Sequence, residues 1–313
     1  MPAPADDEVL IRVSYCGICG SDIHGLVSSL FEEDHVPGHE FSGVVQEVGQ
    51  NVVGLKPGDR VTVDPLLNCG ECEDCLQGQP QRCQYLDTLG ITSQGAMAEY
   101  IAVRASNVYR LPEGVSLLEG AMTEPLSVAI HAIAQSRLPL EESPPRVLVW
   151  GGGTIGLLLL QALKPYTDQV ALVEPVEEKR TLAQRWTQYV YTPEDFWDVE
   201  EDMGPPQYIF EAVGRGQLIQ DSLDLIKKGG KVVVVGLHTE TAEVDLLRVM
   251  YNEIELIGTY ANRRDFPGAL DHMARGWVEI EPLVSTVFPL EKGEEAFEEA
   301  ARNRKAIKTM LEV

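Results

Sequence analysis

Three side chains near the start of the chain have the types and spacing to hold a metal ion open for catalysis. Cys19 lies in Cys19-Gly-Ser21-Asp22-Ile-His24, and His39 and Glu40 follow one another in Pro37-Gly38-His39-Glu40. A catalytic zinc takes three protein ligands of sulfur, nitrogen or oxygen type and keeps a fourth position for water or substrate. Cys19 and His39 supply the sulfur and the nitrogen. The third ligand is expected to be a carboxylate, with Glu40 and Glu124 both eligible, because Cys16 is the only other thiol outside a downstream cluster. Adjacent residues on a strand point to opposite faces. His39 and Glu40 can therefore share an ion only where the backbone bends, which Gly38 permits. Glu124 stands in Thr123-Glu-Pro-Leu, where Pro125 can open a helix. Cys16 reads as a core thiol.

The downstream cluster is Cys69, Cys72 and Cys75 at steps of three, followed by Cys83. Four thiolates at about 2.3 Å satisfy a tetrahedral zinc completely. No position stays open, so this second ion is structural. The residues between, Gly70, Gly78 and Pro80, are loop formers that suit a metal-nucleated lobe. Six cysteines, four of them within fifteen residues, do not read as a disulfide framework in a chain this long.

A third constellation would hold a nucleotide. Gly151-x-Gly153-x-Ile155-Gly156 follows the apolar run Arg146–Trp150 and opens a helix. The first glycine makes the turn, the second lets a pyrophosphate approach the backbone, and the third lets helix and strand pack. The helix N-terminus faces the phosphates. Gly151, Gly153, Ile155 and Gly156 are the expected contacts. Glu174, at the end of the next apolar run, would accept hydrogen bonds from both ribose hydroxyls and repel a 2′-phosphate, so the pattern points to NAD and disfavours NADP. Lys179 and Arg180 soften that preference, since either cation could receive the phosphate.

The elements that must carry these residues fall into two patterns. Up to about residue 125 the chain is rich in glycine, proline and short strands: Val9–Val13, Phe41–Val48 and Arg60–Val63, with turns at Gly49 and Pro57-Gly58-Asp59. Glu141–Pro145 reads as a loop. Then strands and helices alternate: strands at Arg146–Trp150, Val170–Val173, Tyr208–Phe210, Lys231–Val235 and Ile254–Ile257, helices at Leu157–Leu163 and Glu177–Trp186. Such alternation predicts a parallel sheet covered on both faces. Beyond Gly258 come helices at Phe266–Met273 and Glu294–Arg302 and strands at Pro282–Val284 and Lys308–Leu311.

The 313 residues suggest about two domains. With 25 basic and 49 acidic residues, the net charge is −24. That balance argues against nucleic acid and against an anionic membrane surface, and favours solubility. The first residues carry no signal pattern and no segment is long enough to span a bilayer, so a cytoplasmic location is expected.

Taken together, Gly17-Ile-Cys19-Gly-Ser-Asp22, Gly38-His-Glu-Phe-Ser-Gly43, the Cys69/72/75/83 lobe, Thr123-Glu-Pro-Leu-Ser127 and Gly151–Gly156 resemble the zinc-dependent medium-chain dehydrogenases over almost the whole chain. Glu40 and Glu124-Pro-Leu-Ser are similar to the polyol (sorbitol-type) and threonine dehydrogenase branches, whereas the alcohol dehydrogenases proper use a cysteine as third ligand. Two features depart from the family: the chain starts almost at the Val9 strand, without a preceding hairpin, and Trp186-Thr-Gln-Tyr replaces the usual Gly-Ala pair after the second helix.

The resemblance implies an α/β architecture: a Rossmann doubly wound parallel sheet over 126–257, and a mostly β GroES-like catalytic domain with a zinc lobe over 1–125 and 258–313. In the polyol branch the ligands matching Cys19, His39 and Glu40 bind zinc, and the counterpart of Glu124 holds the zinc water or replaces a ligand. The implied reaction is reversible NAD-linked oxidation of a secondary alcohol, foremost a polyol or sugar alcohol. Ser21 would take the hydroxyl proton and His24 pass it to solvent, while Asp22 braces His39. A homo-oligomer, dimer or tetramer, is expected. The rivals are a threonine 3-dehydrogenase-like or butanediol-type enzyme and a zinc-stabilised nucleotide-binding protein without turnover.

Overall fold

The computed structural model describes residues 3–28, 31–138 and 144–313; Glu141–Ser143 of the expected loop lie outside the described residues. The chain divides into two compact units, Met1–Ser127 with Asn262–Val313, and Val128–Ala261.

The first unit is built on a seven-stranded sheet around the strand Glu8–Gly17. Val9, Ile11 and Val13 face the core while Arg12 is exposed, the period-two pattern of a half-solvated strand. This strand pairs antiparallel with Glu40–Val48, Tyr100–Arg104 and Lys308–Glu312. Arg60–Val63 and Val108–Arg110 extend the sheet on one side, and Val284–Pro289 runs parallel to Lys308–Glu312 on the other. Two register shifts along Glu8–Gly17 bend it, and its last residue comes opposite both Glu40 and Met310. Cys16 is fully buried among Phe41, Ala96 and their neighbours.

The second unit holds six parallel strands in the order Tyr189–Tyr191, Val170–Val173, Val147–Trp150, Tyr208–Glu211, Lys231–Val234, Glu255–Gly258. The chain order reverses between Val147–Trp150 and Tyr208–Glu211, the switch point at which ligands settle on open α/β sheets. The central strands are apolar on both faces, as burial beneath two helix layers requires. Trp150, 2% exposed, is accommodated because its indole N–H donates to Ser222 Oγ at 2.8 Å.

Some elements differ from expectation. The helix expected at Glu177–Trp186 ends at Ala183: Thr187 Oγ1 donates to the Val170 carbonyl and steers the chain into the unforeseen strand Tyr189–Tyr191. Pro282 lies in a 3-10 turn, Glu281–Leu283, because proline has no N–H for a ladder; the strand begins at Val284. The helix Gly20–Val27 was also unforeseen. Among the described residues, no helix is long and apolar enough to cross a membrane.

Candidate active site

The helix Gly20–Val27 starts where Asp22 turns back to accept the Cys19 backbone N–H at 2.8 Å, which leaves the Cys19 side chain at the helix mouth. Asp22 is fully buried, and its other oxygen stands 3.4 Å from His39 Nδ1. Among the described residues, neither of those two atoms has another hydrogen-bond partner. A carboxylate facing Nδ1 favours the tautomer that leaves Nε2 as a lone-pair donor, the usual second partner of a metal-bound histidine. His39 lies just before the strand and Glu40 is its first residue. The turn before His39 is made by Gly38, whose φ is +100° and whose hydrogen faces Cys16 Sγ and Met97, each 2.7 Å from where a Cβ would be.

Ligating atoms of Cys19, His39 and Glu40 lie within 4.8 Å of one another. Sulfur, nitrogen and oxygen at that spread fit a zinc with ligands at about 2.0–2.3 Å. Glu40 is 2% exposed and passes over Gly17, where a Cβ would come within 2.3 Å of its Oε2. The same oxygen accepts from Lys308 Nζ at 2.5 Å, and Lys308 also donates to the Ile18 carbonyl at 3.0 Å. Burial pulls the lysine down, but the Glu40 carboxylate outweighs it and holds Lys308 charged, above the ordinary lysine range. Lys308 was missed in the sequence; a lysine inside the strand Lys308–Glu312 was the available signal.

Glu124 is outside that ligand set. It is buried in the first turn of the helix Thr123–Ser136, and burial pushes it up to about 7, with His39 opposing the rise and Glu40 adding to it. Ser21 and His24 are three apart on the Gly20–Val27 helix, both half-buried; three-apart residues share a helix face, but no hydrogen bond joins these two.

Ligating atoms of Cys69, Cys72, Cys75 and Cys83 also lie within 4.8 Å of one another, and all four cysteines are free thiols. Their sulfurs accept backbone N–H groups: Cys72 to Cys69 at 3.3 Å, Cys69 to Cys83 at 3.3 Å, Tyr85 to Cys83 at 3.4 Å. The N–H groups of Cys75 and Gln84 pull Cys72 down to about 6, while desolvation and the neighbouring thiols push Cys75 up to about 12. Four cysteine sulfurs so close can all ionise only when a cation joins them, which is the donor chemistry of a closed zinc site. The short ribbon of Leu66–Leu67 against Asp87–Thr88 ties the base of the lobe.

In the second unit, Gly151 has φ +93°, and a Cβ on Gly156 would lie 1.8 Å from the Gly151 carbonyl. Nothing lies within 4 Å of a Cβ on Gly153, so this residue leaves open space at the start of the helix Thr154–Ala162. Both observations suit a phosphate cradle. Glu174 is 6% exposed; its two oxygens accept the N–H of Gly152 at 2.7 Å and of Val176 at 2.8 Å. The Arg180 guanidinium donates to the carbonyls of Glu174 and Pro175 at 2.8 and 2.6 Å. Lys179 is half-buried on the helix Glu177–Ala183, and Ile155 is half-buried next to the glycine turn.

Both units match known protein families. Residues 5–113 match the alcohol dehydrogenase GroES-like domain and residues 154–275 the zinc-binding dehydrogenase family. The chain is 33% identical to the 2-dehydro-3-deoxy-L-galactonate 5-dehydrogenase of Pseudoalteromonas atlantica, over 99% of this chain and 93% of the relative. It is 34% identical to the D-arabitol-phosphate dehydrogenase of Enterococcus avium, over 100% and 92%. An alcohol dehydrogenase of Escherichia coli CFT073, crystallised with NADH, superposes with a TM-score of 0.93 at 27% identity, over 100% of this chain and 94% of that one. The first match spans both cysteine sets together with His39 and Glu40, and the second opens at the helix after the glycine turn. On these grounds the chain belongs to the zinc-dependent medium-chain dehydrogenases, in their polyol branch, and is an enzyme that oxidises CH–OH groups.

Proposed function

We propose that the protein catalyses the reversible NAD-linked oxidation of a secondary hydroxyl on a polyol or sugar derivative. The observation that carries this reading is the convergence of Cys19, His39 and Glu40 beside a separate four-cysteine lobe. Cys19, His39 and Glu40 would hold the catalytic zinc, with Asp22 bracing His39 and Lys308 bracing Glu40. Glu124 stands by as the acid–base partner of that site. When bound, zinc supplies Lewis-acid polarisation of the substrate hydroxyl and NAD supplies the hydride acceptor. Ser21 accepts the hydroxyl proton while giving up its own, and His24, three residues on in the same helix, is the group that exchanges a proton with solvent.

A spectrophotometric screen for NADH formation over polyols, sugar acids, polyol phosphates, short diols and threonine tests the reading. Turnover of a polyol or its oxidised or phosphorylated derivative is expected. Turnover of threonine or butanediol alone would move the substrate to the rival branch, and no turnover of any would overturn the reading.

Glu174 supports NAD over NADP. Its carboxylate is fixed by two backbone donors and faces a 2′-phosphate with like charge, while Arg180 is engaged with backbone carbonyls. Hydrogen bonds to a charged group contribute about 1.5–3 kcal/mol, so kcat/KM should favour NAD by tenfold or more. Equal values for the two cofactors would show that a cation has taken over the readout.

The four-cysteine lobe is proposed as a structural site. Cys72→Ser should lower the melting temperature and accelerate zinc loss, since metal binding here is folding free energy. An unchanged melting curve would remove that role.

A homo-oligomer is proposed as well. Strand Glu255–Gly258 ends its sheet with Leu256 exposed, and the helix Leu246–Tyr251 exposes Leu246, Leu247, Met250 and Tyr251. Light scattering at micromolar concentration checks it.

A further inference from the structure

The second unit contains a second buried strand-end glutamate that the reading above does not use. Glu174 directly follows the strand Val170–Val173 and ties the glycine turn. Glu211 ends Tyr208–Glu211 on the far side of the switch point and is fully buried. Its Oε1 accepts the N–H of Val213 at 2.9 Å and of Gly214 at 2.8 Å. Its Oε2 is taken by His238 Nε2 at 2.8 Å. His238 belongs to the loop that leaves the next strand, Lys231–Val234, so this one carboxylate ties two successive loops together.

The two loops also interlock through their backbones. A Cβ on Gly214 would lie 2.3 Å from the Leu237 carbonyl, and one on Gly236 would lie 2.2 Å from the Gly214 nitrogen. Gly214 has φ +85°. Close approach of the loops leaves no room for side chains between them, so their relative course is set by glycine contact and by the one carboxylate beneath. Removing the imidazole would strand one oxygen of a fully buried carboxylate without its donor, and the loop would shift to let water in.

A dinucleotide on an open parallel sheet straddles the switch point along the carboxyl ends of the strands. The adenosine half belongs to the glycine turn and Glu174. The nicotinamide half must then cross to the loops that follow Tyr208–Glu211 and Lys231–Val234. We propose that His238 is a positioning residue for that half: its bond to Glu211 holds the 236–239 loop in the course along which the nicotinamide riboside lies. Glu211 and Glu174 are thus equivalent devices, one for each half of the cofactor. The proposal rests on the dinucleotide reading above.

The test measures binding rather than turnover. NADH and AMP are each titrated by calorimetry into the wild-type protein, His238→Ala and His238→Gln. AMP probes the adenosine half alone. His238→Ala is expected to weaken NADH about tenfold, the loss of one hydrogen bond to a charged acceptor, and to leave AMP binding unchanged. His238→Gln, which keeps an N–H donor for Glu211, should recover most of the NADH affinity. Wild-type NADH affinity in His238→Ala overturns the proposal, as does an equal loss of AMP and NADH or a glutamine variant no better than alanine. A wild-type chain that binds neither probe overturns the dinucleotide reading itself, which separates that failure from the failure of His238.

Discussion

Cys19→Ser should leave a folded chain with about one zinc instead of two and an oxidation rate lowered at least a thousandfold. The first part follows from ligand chemistry: a neutral serine hydroxyl does not replace a thiolate on zinc. The fold should survive because the Asp22 carboxylate caps the Gly20–Val27 helix through the Cys19 backbone N–H, and a serine side chain is itself a good N-cap acceptor. The size of the rate loss follows from what the ion contributes. Lewis-acid stabilisation amounts to several kcal/mol, and each 1.4 kcal/mol or so is tenfold in rate. Elemental analysis, circular dichroism and NADH formation read the three parts separately. A Cys19→Ser protein with full zinc content would place the ion elsewhere.

Lys308→Met should cost the metal-free protein about 3–5 kcal/mol, the range for a buried ion pair that loses one partner. Glu40 is 2% exposed and its Oε2 is hemmed in by Gly17, so it cannot turn to water for compensation. Adding Glu40→Gln removes the stranded charge, and the double variant should regain much of the loss. Denaturant melts of both variants decide it. If the single variant is as stable as the double, the ion pair carries no structural weight. Zinc should narrow the deficit of the single variant, because a cation at Cys19 and His39 gives Glu40 another counter-charge.

The parts of the site that were legible in the sequence are those whose chemistry is local. Gly151, Gly153 and Gly156 report a turn within one strand–helix junction, and the structure gives each the space its role requires. The Cys69–Cys83 run encloses its own lobe. Gly38 before His39 announced the turn. What stayed open needed distant partners. Glu40 and Glu124 were equal candidates in the sequence, and only the folded sheet groups Glu40 with Cys19 and His39. Lys308 lies 268 positions from Glu40, and strand pairing alone brings them together. The helix Gly20–Val27 was hidden because two glycines weaken its propensity. It forms through the Asp22 cap and the burial of Asp22 and Gly25. His238 gave no signal, since its partner lies at the end of another strand.

The division of the chain into Met1–Ser127 with Asn262–Val313 around Val128–Ala261 has a consequence for synthesis. Translation delivers residues in order, and domains fold as units while the chain emerges. A ribosome that has released residue 261 has made every strand of the parallel sheet, and that unit can close. The other unit at that moment lacks Lys308–Glu312, the neighbour of Glu8–Gly17, and Glu40 lacks its lysine. The Cys19, His39 and Glu40 group therefore waits, its carboxylate uncompensated, until Asn262–Val313 emerges. Joining segments this far apart carries a loop-closure cost that grows slowly with length. The order of closure thus follows from topology: the parallel-sheet unit can close before the unit that groups Cys19, His39 and Glu40.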